Sequence, residues 1–235
     1  MPAMNAIAKQ LANGLCVATE TRIRRLTRAC RGWRWVSDDA SAGRWFDAVI
    51  VAVPAAQAAE LLASRTTLAA QAGRCALAPC WAVMLGFEQP LPVPYDGAFI
   101  HGSPLSWVAR NSTKPGRSPE EAWVLHAGPE WSATHIDAPP DQVIATLQRE
   151  FGQASRAEFP PPVHAAAHRW RFALPSEPLR IGAWWDAETR VAVCGDWCEG
   201  GRIEGAFLSG LAAAERVLGA GGAIADRAGS PAAGP

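Results

Sequence analysis

The sequence is poor in lysine, in tyrosine and in charge. Lys9 and Lys114 are its only lysines, and every other basic residue is an arginine. One tyrosine stands beside eleven tryptophans. Charged residues make up 19%, below the ~25% usual for a soluble protein. The 22 basic residues cancel the 22 acidic ones. A zero balance argues against a strongly basic nucleic-acid binder and against an acidic tail. There is no basic segment leading into an apolar run, so no secretory signal is read. The most apolar window, Phe46 to Leu62, holds Asp47, Pro54, Gln57 and Glu60, which excludes a membrane span. Six cysteines without a signal read as reduced thiols of a cytoplasmic protein. Also missing are a Walker phosphate loop, a serine in a nucleophile elbow, and the dinucleotide fingerprint G-x-G-x-x-G after a first strand.

What is present is a 235-residue chain that is 49% hydrophobic, enough for one large core or two smaller ones. Tryptophans are bulky and carry an N–H that needs an acceptor, so many should line a core or an aromatic pocket. Met4, Ile7, Leu11 and Leu15 recur at helical spacing and predict a helix over 3–13. Val17 to Leu26 reads as extended, Gly32 as a turn, and Trp33 with Trp35 as a returning strand. Phe46 to Val53 is a short apolar strand ended by Pro54, with helical composition from Ala55 to Ala63. A buried strand feeding a helix is the α/β pattern.

From Cys75 to about Arg171 the texture becomes α+β. Strand-like pieces (Trp81 to Phe87, Ala98 to Ile100, Ser106 to Arg110, Trp123 to Ala127) alternate with Pro/Gly loops, and one helix is predicted over Pro140 to Phe151. A buried strand returns at Arg190 to Cys194. The helix after it should run to about Leu218 on a stripe of Phe207, Leu211, Ala214 and Leu218. The small-residue stretch 220–235 is expected to be disordered. The resulting division is 1–73 with 181–219 as one domain and 74–180 as a second, mostly antiparallel one.

The stretch CGDWCEGGRIEGAFLSG, Cys194 to Gly210, carries the most chemistry. Gly195 permits a sharp turn and Asp196 offers a carboxylate. Gly200, Gly201 and Gly205 would let a ligand approach the backbone. The following helix presents free N–H groups and a positive dipole end to an anion. A tight turn without a ligand satisfies the same spacing. Cys194 with Cys198, and His164 with His168, mimic metal-ligand pairs, but zinc takes closed sets of four, and no metal site is expected. His101, His126 and His135 are scattered and read as surface or core histidines.

Taken in order, several stretches resemble the flavin-containing amine oxidoreductases, most closely their bacterial renalase-like subgroup. They are MPAMNAIAKQLA, Thr21 to Leu26 with Trp33, FDAVIVAVPAAQAAELL, APCWAVMLGFE, SPLSWVARNSTKPGR, WVLHAGPEWSATH, AHRWRFALP and CGDWCEGGRIEGAFLSG. The resemblance covers residues 4–218 and departs at the amino terminus. There the family's opening βαβ unit, with its glycine fingerprint, has no counterpart in this sequence. It implies an incomplete Rossmann-like FAD-binding domain with an inserted antiparallel substrate domain, and FAD as cofactor.

By the same resemblance, Ile23 would meet the adenine, Pro54 the adenosine, and Gly195 with Asp196 the ribityl–pyrophosphate region. Arg202, Ile203 and Glu204, with Gly201 and Ala206 beside them, would pass the flavin N1/O2 edge. Trp107, Asn111, His168 and Trp170 are the implied substrate residues, although not all of them are expected to line one pocket. No catalytic residue is assigned. Lys114 reads as a solvated loop charge. The implied chemistry is hydride transfer from a small amine or a dihydronicotinamide to flavin N5, with reoxidation by oxygen. A Trp-rich pocket suits a flat ring and tilts the choice toward the dihydronicotinamide. The expected partners are a small-molecule substrate, no nucleic acid, no membrane, and a chain carrying the absent βαβ unit. The competing reading is a non-enzymatic remnant, or one half of a split flavoprotein.

Overall fold

The computed structural model describes residues 3, 5–30, 32–62, 67–177 and 179–228, with side chains as far as Ala220. In chain order the elements are α1 (Ala6–Leu11), β1 (Ile23–Ala29), β2 (Gly32–Ser37), β3 (Val49–Val51), α2 (Ala55–Leu62) and α3 (Leu68–Gly73). Then follow β4 (Leu77–Phe87), β5 (Gly97–Phe99), β6 (Leu105–Arg110), β7 (Glu121–Ala127), α4 (Pro129–Thr134) and α5 (Pro140–Ser155). The chain continues through β8 (His164–Pro175), β9 (Trp184–Asp186), β10 (Val191–Val193) and α6 (Ile203–Ala228). This is a mixed α/β fold with three sheets among the described residues. No helix among the described residues is long and apolar enough to cross a membrane.

Two compact units divide the chain. One comprises Met1–Val17 and Ala78–Ala173, the other Ala18–Leu77 and Leu174–Pro235. The segment 1–17 thus groups with the second stretch of chain, not with 18–77 as expected. Met4, the first residue of the expected helical stripe, lies outside the described residues. Of the remainder, Ile7, Leu11 and Leu15 are exposed.

The first unit is built on the sheet β5-β6-β7-β4-β8. Its β5, β6, β7 and β4 pair antiparallel. Alternation along β4 sends Trp81, Val83, Leu85 and Phe87 to one face, where Trp123 and Leu125 of β7 join them. Helix α5 closes this face with Val143, Leu147 and Phe151, one residue per helical turn and none of them exposed. Each such side chain contributes about 1.5–3 kcal/mol on burial. Pro140 at the first turn suits the start of α5, because its missing N–H would have had no helical partner there. Buried Glu121 is matched: its Oε1 accepts from Trp123 Nε1 at 2.7 Å and from the Leu91 amide at 3.1 Å. Arg110 stands 3.5 Å from the same carboxylate and 4.9 Å over the Trp123 ring.

The second unit holds the β1–β2 hairpin and the sheet β3-β10-β9. Strands β3 and β10 are parallel, with Val51 opposite Val193, and β9 is antiparallel to β10. Strand β10 is buried throughout, as its continuous apolar run predicts. Strand β3 is not: Ile50 is 42% exposed, and among the described residues β3 pairs only with β10. Gly32 opens β2 at φ +108°, and a Cβ there would stand 2.3 Å from the Phe46 carbonyl oxygen.

Helix α6 departs from expectation twice. It continues to Ala228, past the end expected at Leu218 and into the stretch expected to be disordered; residues 229–235 lie outside the described residues. Its buried face is also not the large apolar stripe. Gly205, Ser209 and Ala213 face inward, whereas Phe207, Leu211 and Leu218 are exposed and Ala214 half-buried. The physical reason is close approach: a Cβ on Gly205 would lie 1.9 Å from the Glu199 carbonyl oxygen. Only small residues fit on that side.

Candidate functional site

The carboxyl ends of β3 and β10 lie side by side. In open α/β sheets this is where ligands gather. Four hydrogen bonds fasten the region. The Cys194 amide donates to the Val51 carbonyl at 3.1 Å, and the indole N–H of Trp197 donates to the Val53 carbonyl at 3.1 Å. Buried Ser209 of α6 accepts from the Gly195 amide at 3.0 Å and donates to the Gly182 carbonyl. The Pro54 turn, the Gly195-Asp196 turn and the start of α6 are therefore held together.

Residues Asp196–Cys198 form one turn of 3-10 helix. One Asp196 oxygen, Oδ1, accepts from the Trp197 amide at 2.9 Å. Its other carboxylate oxygen makes no hydrogen bond among the described residues. The Asp196 backbone carbonyl accepts from Glu199 at 2.9 Å and Gly201 at 2.8 Å. The first helical bond of α6 runs from the Ala206 amide to the Arg202 carbonyl at 2.9 Å. The amides of Ile203, Glu204 and Gly205 precede that bond and have no intrahelical acceptor. Arg202, Ile203, Glu204 and Ala206 are all exposed there.

The glycines divide by role. A Cβ on Gly195 would meet the Trp197 ring at 2.5 Å, and one on Gly201 would meet the Pro175 ring at 2.6 Å. Gly205 is blocked by Glu199, so these three serve packing within the chain. Gly200 alone of the set, at φ +85°, faces open space with nothing within 4 Å. Of the three glycines expected to admit a ligand, Gly200 leaves open space in the Cβ direction, where Gly201 and Gly205 meet the chain itself.

Ile23 lies at two cavities that also share Val53 and Leu61. One, of about 420 Å³, is lined further by Arg22, Gln57 and Glu60. The other, of about 310 Å³, runs along Val49 to Ala52 with Leu26 and Trp35. Ile23 therefore lines the same two cavities as Val53, the residue that precedes Pro54.

Burial holds the Cys194 and Cys198 thiols protonated. The Cys198 thiol is pushed up to about 12, chiefly by burial, and burial likewise raises Cys194. No cluster of potential metal ligands occurs among the described residues.

In the first unit, the sheet face opposite α5 carries the implied substrate residues. Trp107 lies in register with His126 of β7, and its ring centroid is 4.7 Å from that of Phe99. The Asn111 amide donates to the Ala122 carbonyl at 2.6 Å, extending the β6–β7 register. The four-residue interval from Trp107 to Asn111 is even, so both fall on this face. His168 and Trp170 of β8 are exposed, with ring centroids 4.4 Å apart. They share the face of His164, whose Cβ lies beside Gly86. Trp107, Asn111, His168 and Trp170 thus share one face of the sheet. Arg110 and Arg169 turn the other way: Arg169 binds the Ile136 carbonyl at 2.6 Å and Asp137 at 2.9 Å.

Sequence reasoning passed over His126, Trp197 and Ser209. His126 is half-buried on the aromatic face, and burial first, then the Lys114 charge, lowers its pKa from the usual 6.5. For Ser209 a signal did exist, since Gly205, Ser209 and Ala213 recur every four residues. Nothing separates Trp197 from ten other tryptophans before its acceptor is seen.

A parallel strand pair ending in a glycine turn at a helix start is an arrangement that nucleotide-binding α/β proteins use. The chain belongs to the flavin-containing amine oxidoreductase family, whose model matches residues 1–218. FAD is the cofactor that membership implies. Similar solved structures include a provisionally named protoporphyrinogen oxidase from Exiguobacterium sp. 255-15, with a TM-score of 0.64 and 11% identity over 88% of this chain and 47% of that one. Cyclohexylamine oxidase from Brevibacterium oxydans IH-35A gives 0.59 and 11% over 86% and 48%. A redesigned putrescine oxidase gives 0.60 and 14% over 93% and 51%. These likenesses concern the fold, and the chain spans about half the length of each. The residues present fit the cofactor: free amides at the start of α6 and the open space at Gly200 suit an anionic group, and the unbound Asp196 oxygen suits a hydroxyl donor.

Proposed function

We propose that this chain contributes the carboxy-terminal half of the cofactor site and the substrate face of a FAD-dependent oxidoreductase. The observation that carries the reading is the union of the Pro54 turn, the Gly195-Asp196 turn and the α6 start through Trp197 and Ser209. Bound FAD would accept a hydride from a substrate C–H and pass its electrons to oxygen, and the chain's residues position and shield the reactants. The amides of Ile203 to Gly205, at the positive end of α6, stabilise negative charge placed before them. Asp196 accepts hydrogen bonds from hydroxyls with its unbound oxygen. Ile23 covers an apolar ring at the cavity it shares with Val53 and Leu61. Trp107 and Trp170 offer aromatic surface to a flat substrate, and Asn111 and His168 offer hydrogen bonds. The favoured substrate is a dihydronicotinamide of the renalase type, with a small amine second.

The pyrophosphate of FAD belongs on a glycine-rich βαβ unit, which residues 1–235 do not supply. The partly exposed strand β3, paired on one side only among the described residues, is the fitting place for such a unit. The reading therefore includes that unit as a partner, in the same protein or on a second chain. The test is anaerobic titration of FAD-loaded protein, followed by absorbance. The expected result is bleaching by a dihydronicotinamide or an amine, with peroxide formed on readmission of oxygen. Loaded protein that neither class bleaches contradicts the proposal.

A further inference from the structure

Glu199 closes a hydrogen-bonded circuit beside the start of α6. Its Oε2 accepts from the Gly182 amide at 2.9 Å. The Gly182 carbonyl accepts from Ser209 Oγ at 2.5 Å, and Ser209 Oγ accepts from the Gly195 amide at 3.0 Å. The Gly195 carbonyl accepts from the Cys198 amide at 3.0 Å, which brings the path back to the residue before Glu199. Bonds linked in this way orient and polarise one another.

Gly182 is gripped from two elements. The turn holds its amide and α6 holds its carbonyl, about a backbone at φ +66°. A Cβ there would also stand 3.2 Å from the Ala212 Cβ. A second tie runs alongside: the Ile181 amide donates to the Cys198 carbonyl at 3.0 Å, and Arg180 forms an antiparallel bridge with Glu199. The segment 180–182 is therefore strapped to the turn that carries Asp196 and Gly200.

Glu199 bears on the rest of the site through its backbone. Its amide donates to the Asp196 carbonyl at 2.9 Å. Its carbonyl oxygen is the atom that leaves room for glycine alone at position 205, in the first turn of α6. One half-buried residue thus meets the Asp196 turn, the first turn of α6 and the 180–182 segment.

We infer that Glu199 is a positioning residue: its carboxylate fixes the 195–201 turn, so that the free amides of α6 and the open side of Gly200 are set before an anionic group binds. A turn already ordered has less entropy to lose on binding. A carboxylate suits the task, because it accepts from a backbone N–H more strongly than a neutral oxygen does. That the anionic group belongs to FAD rests on the proposed function; the fixing of the turn does not.

The test pairs amide hydrogen exchange of the flavin-free chain with FAD affinity of the chain supplemented with a glycine-rich βαβ unit. Glu199→Ala should speed exchange in 180–182 and 195–201 about tenfold and leave β4 and α5 unchanged. It should weaken FAD binding about fivefold. Glu199→Gln keeps an acceptor for Gly182 and should stay within about threefold of the parent in both readings. Glu199→Ala combined with Ser209→Ala should lose less affinity than the product of the two single losses, as members of one circuit do. Circular dichroism verifies the folding of each variant. Parental exchange in Glu199→Ala, FAD affinity unmoved by it, a Gln variant as damaged as the Ala one, or losses that simply multiply overturn the inference. A supplemented parent that binds no FAD sinks the functional proposal instead, and exchange in the flavin-free chain then decides the inference alone.

Discussion

The indole N–H of Trp197 reaches the carbonyl of Val53, 144 positions away in sequence, at 3.1 Å. The bond joins the turn that ends β10 to the turn that ends β3. Trp197 is 1% exposed and packs against Trp184 with ring centroids 5.3 Å apart. Trp197→Phe keeps most of the packing and removes the bond, at about 1 kcal/mol. Trp197→Ala also opens a cavity, at about 3–5 kcal/mol. Thermal melts of the two variants should rank in that order. A Phe variant as damaging as Ala would mean that the hydrogen bond, not the packing, sets the local stability.

Two glycines five positions apart, Gly200 and Gly205, should behave differently. Gly205→Ala forces a methyl to within 1.9 Å of a backbone oxygen that cannot swing away. Overpacking of this kind costs about 1–3 kcal/mol. Gly200→Ala meets no atom but holds φ +85°, a conformation that costs an L residue about 1–2 kcal/mol. The separating readout is ligand binding: Gly200→Ala intrudes on the open space before α6, so it should weaken FAD binding beyond its effect on melting. Chemical denaturation with a parallel flavin titration checks both.

His126 should confer a pH dependence on the first unit. Its pKa in the folded chain is lowered from 6.5, by burial first and by Lys114 second. A depressed imidazole contributes stability that is fully present above 6.5 and lost as pH falls below it toward the lowered value. Melting temperature should therefore decline on acidification through that window, and His126→Gln should flatten the decline. An unchanged slope in the Gln variant would exclude His126 as the source.

The six thiols should react in a fixed order. Cys16 and Cys30 are exposed, whereas Cys194 and Cys198 are buried and their thiols held protonated. Timed alkylation read by mass spectrometry should modify Cys16 and Cys30 first, and Cys194 with Cys198 only on unfolding. Early labelling of Cys198 would show that the β10 turn opens readily.

Much of the architecture was legible because period and length speak directly. The alternation in β4, β6 and β7 and the four-residue spacing of Val143, Leu147 and Phe151 gave their elements within a few positions. The α6 face was misread because side-chain size was taken as the sign of burial. There the helix lies so close to Glu199 and Gly182 that only Gly205, Ser209 and Ala213 fit, and Phe207 and Leu211 turn outward. Short elements such as α3, α4 and β9 carry too few residues to show a period. On the sheet face the even spacing of Trp107 and Asn111 was readable from the numbers alone. The pairing of Trp107 with His126 was not, since it depends on the register of β6 against β7.

The most direct test concerns the crevice at the ends of β3 and β10. The chain, with a glycine-rich βαβ unit supplied upstream or as a separate polypeptide, is incubated with FAD and desalted, and bound flavin is measured by absorbance. Asp196→Ala and Ile203→Glu variants are carried in parallel, and circular dichroism verifies their folding. Flavin retained by the parent and lost by both folded variants is the result predicted here. Retention that is equal in parent and variants, or absent from the supplemented parent, would contradict the assignment of this crevice as the cofactor site.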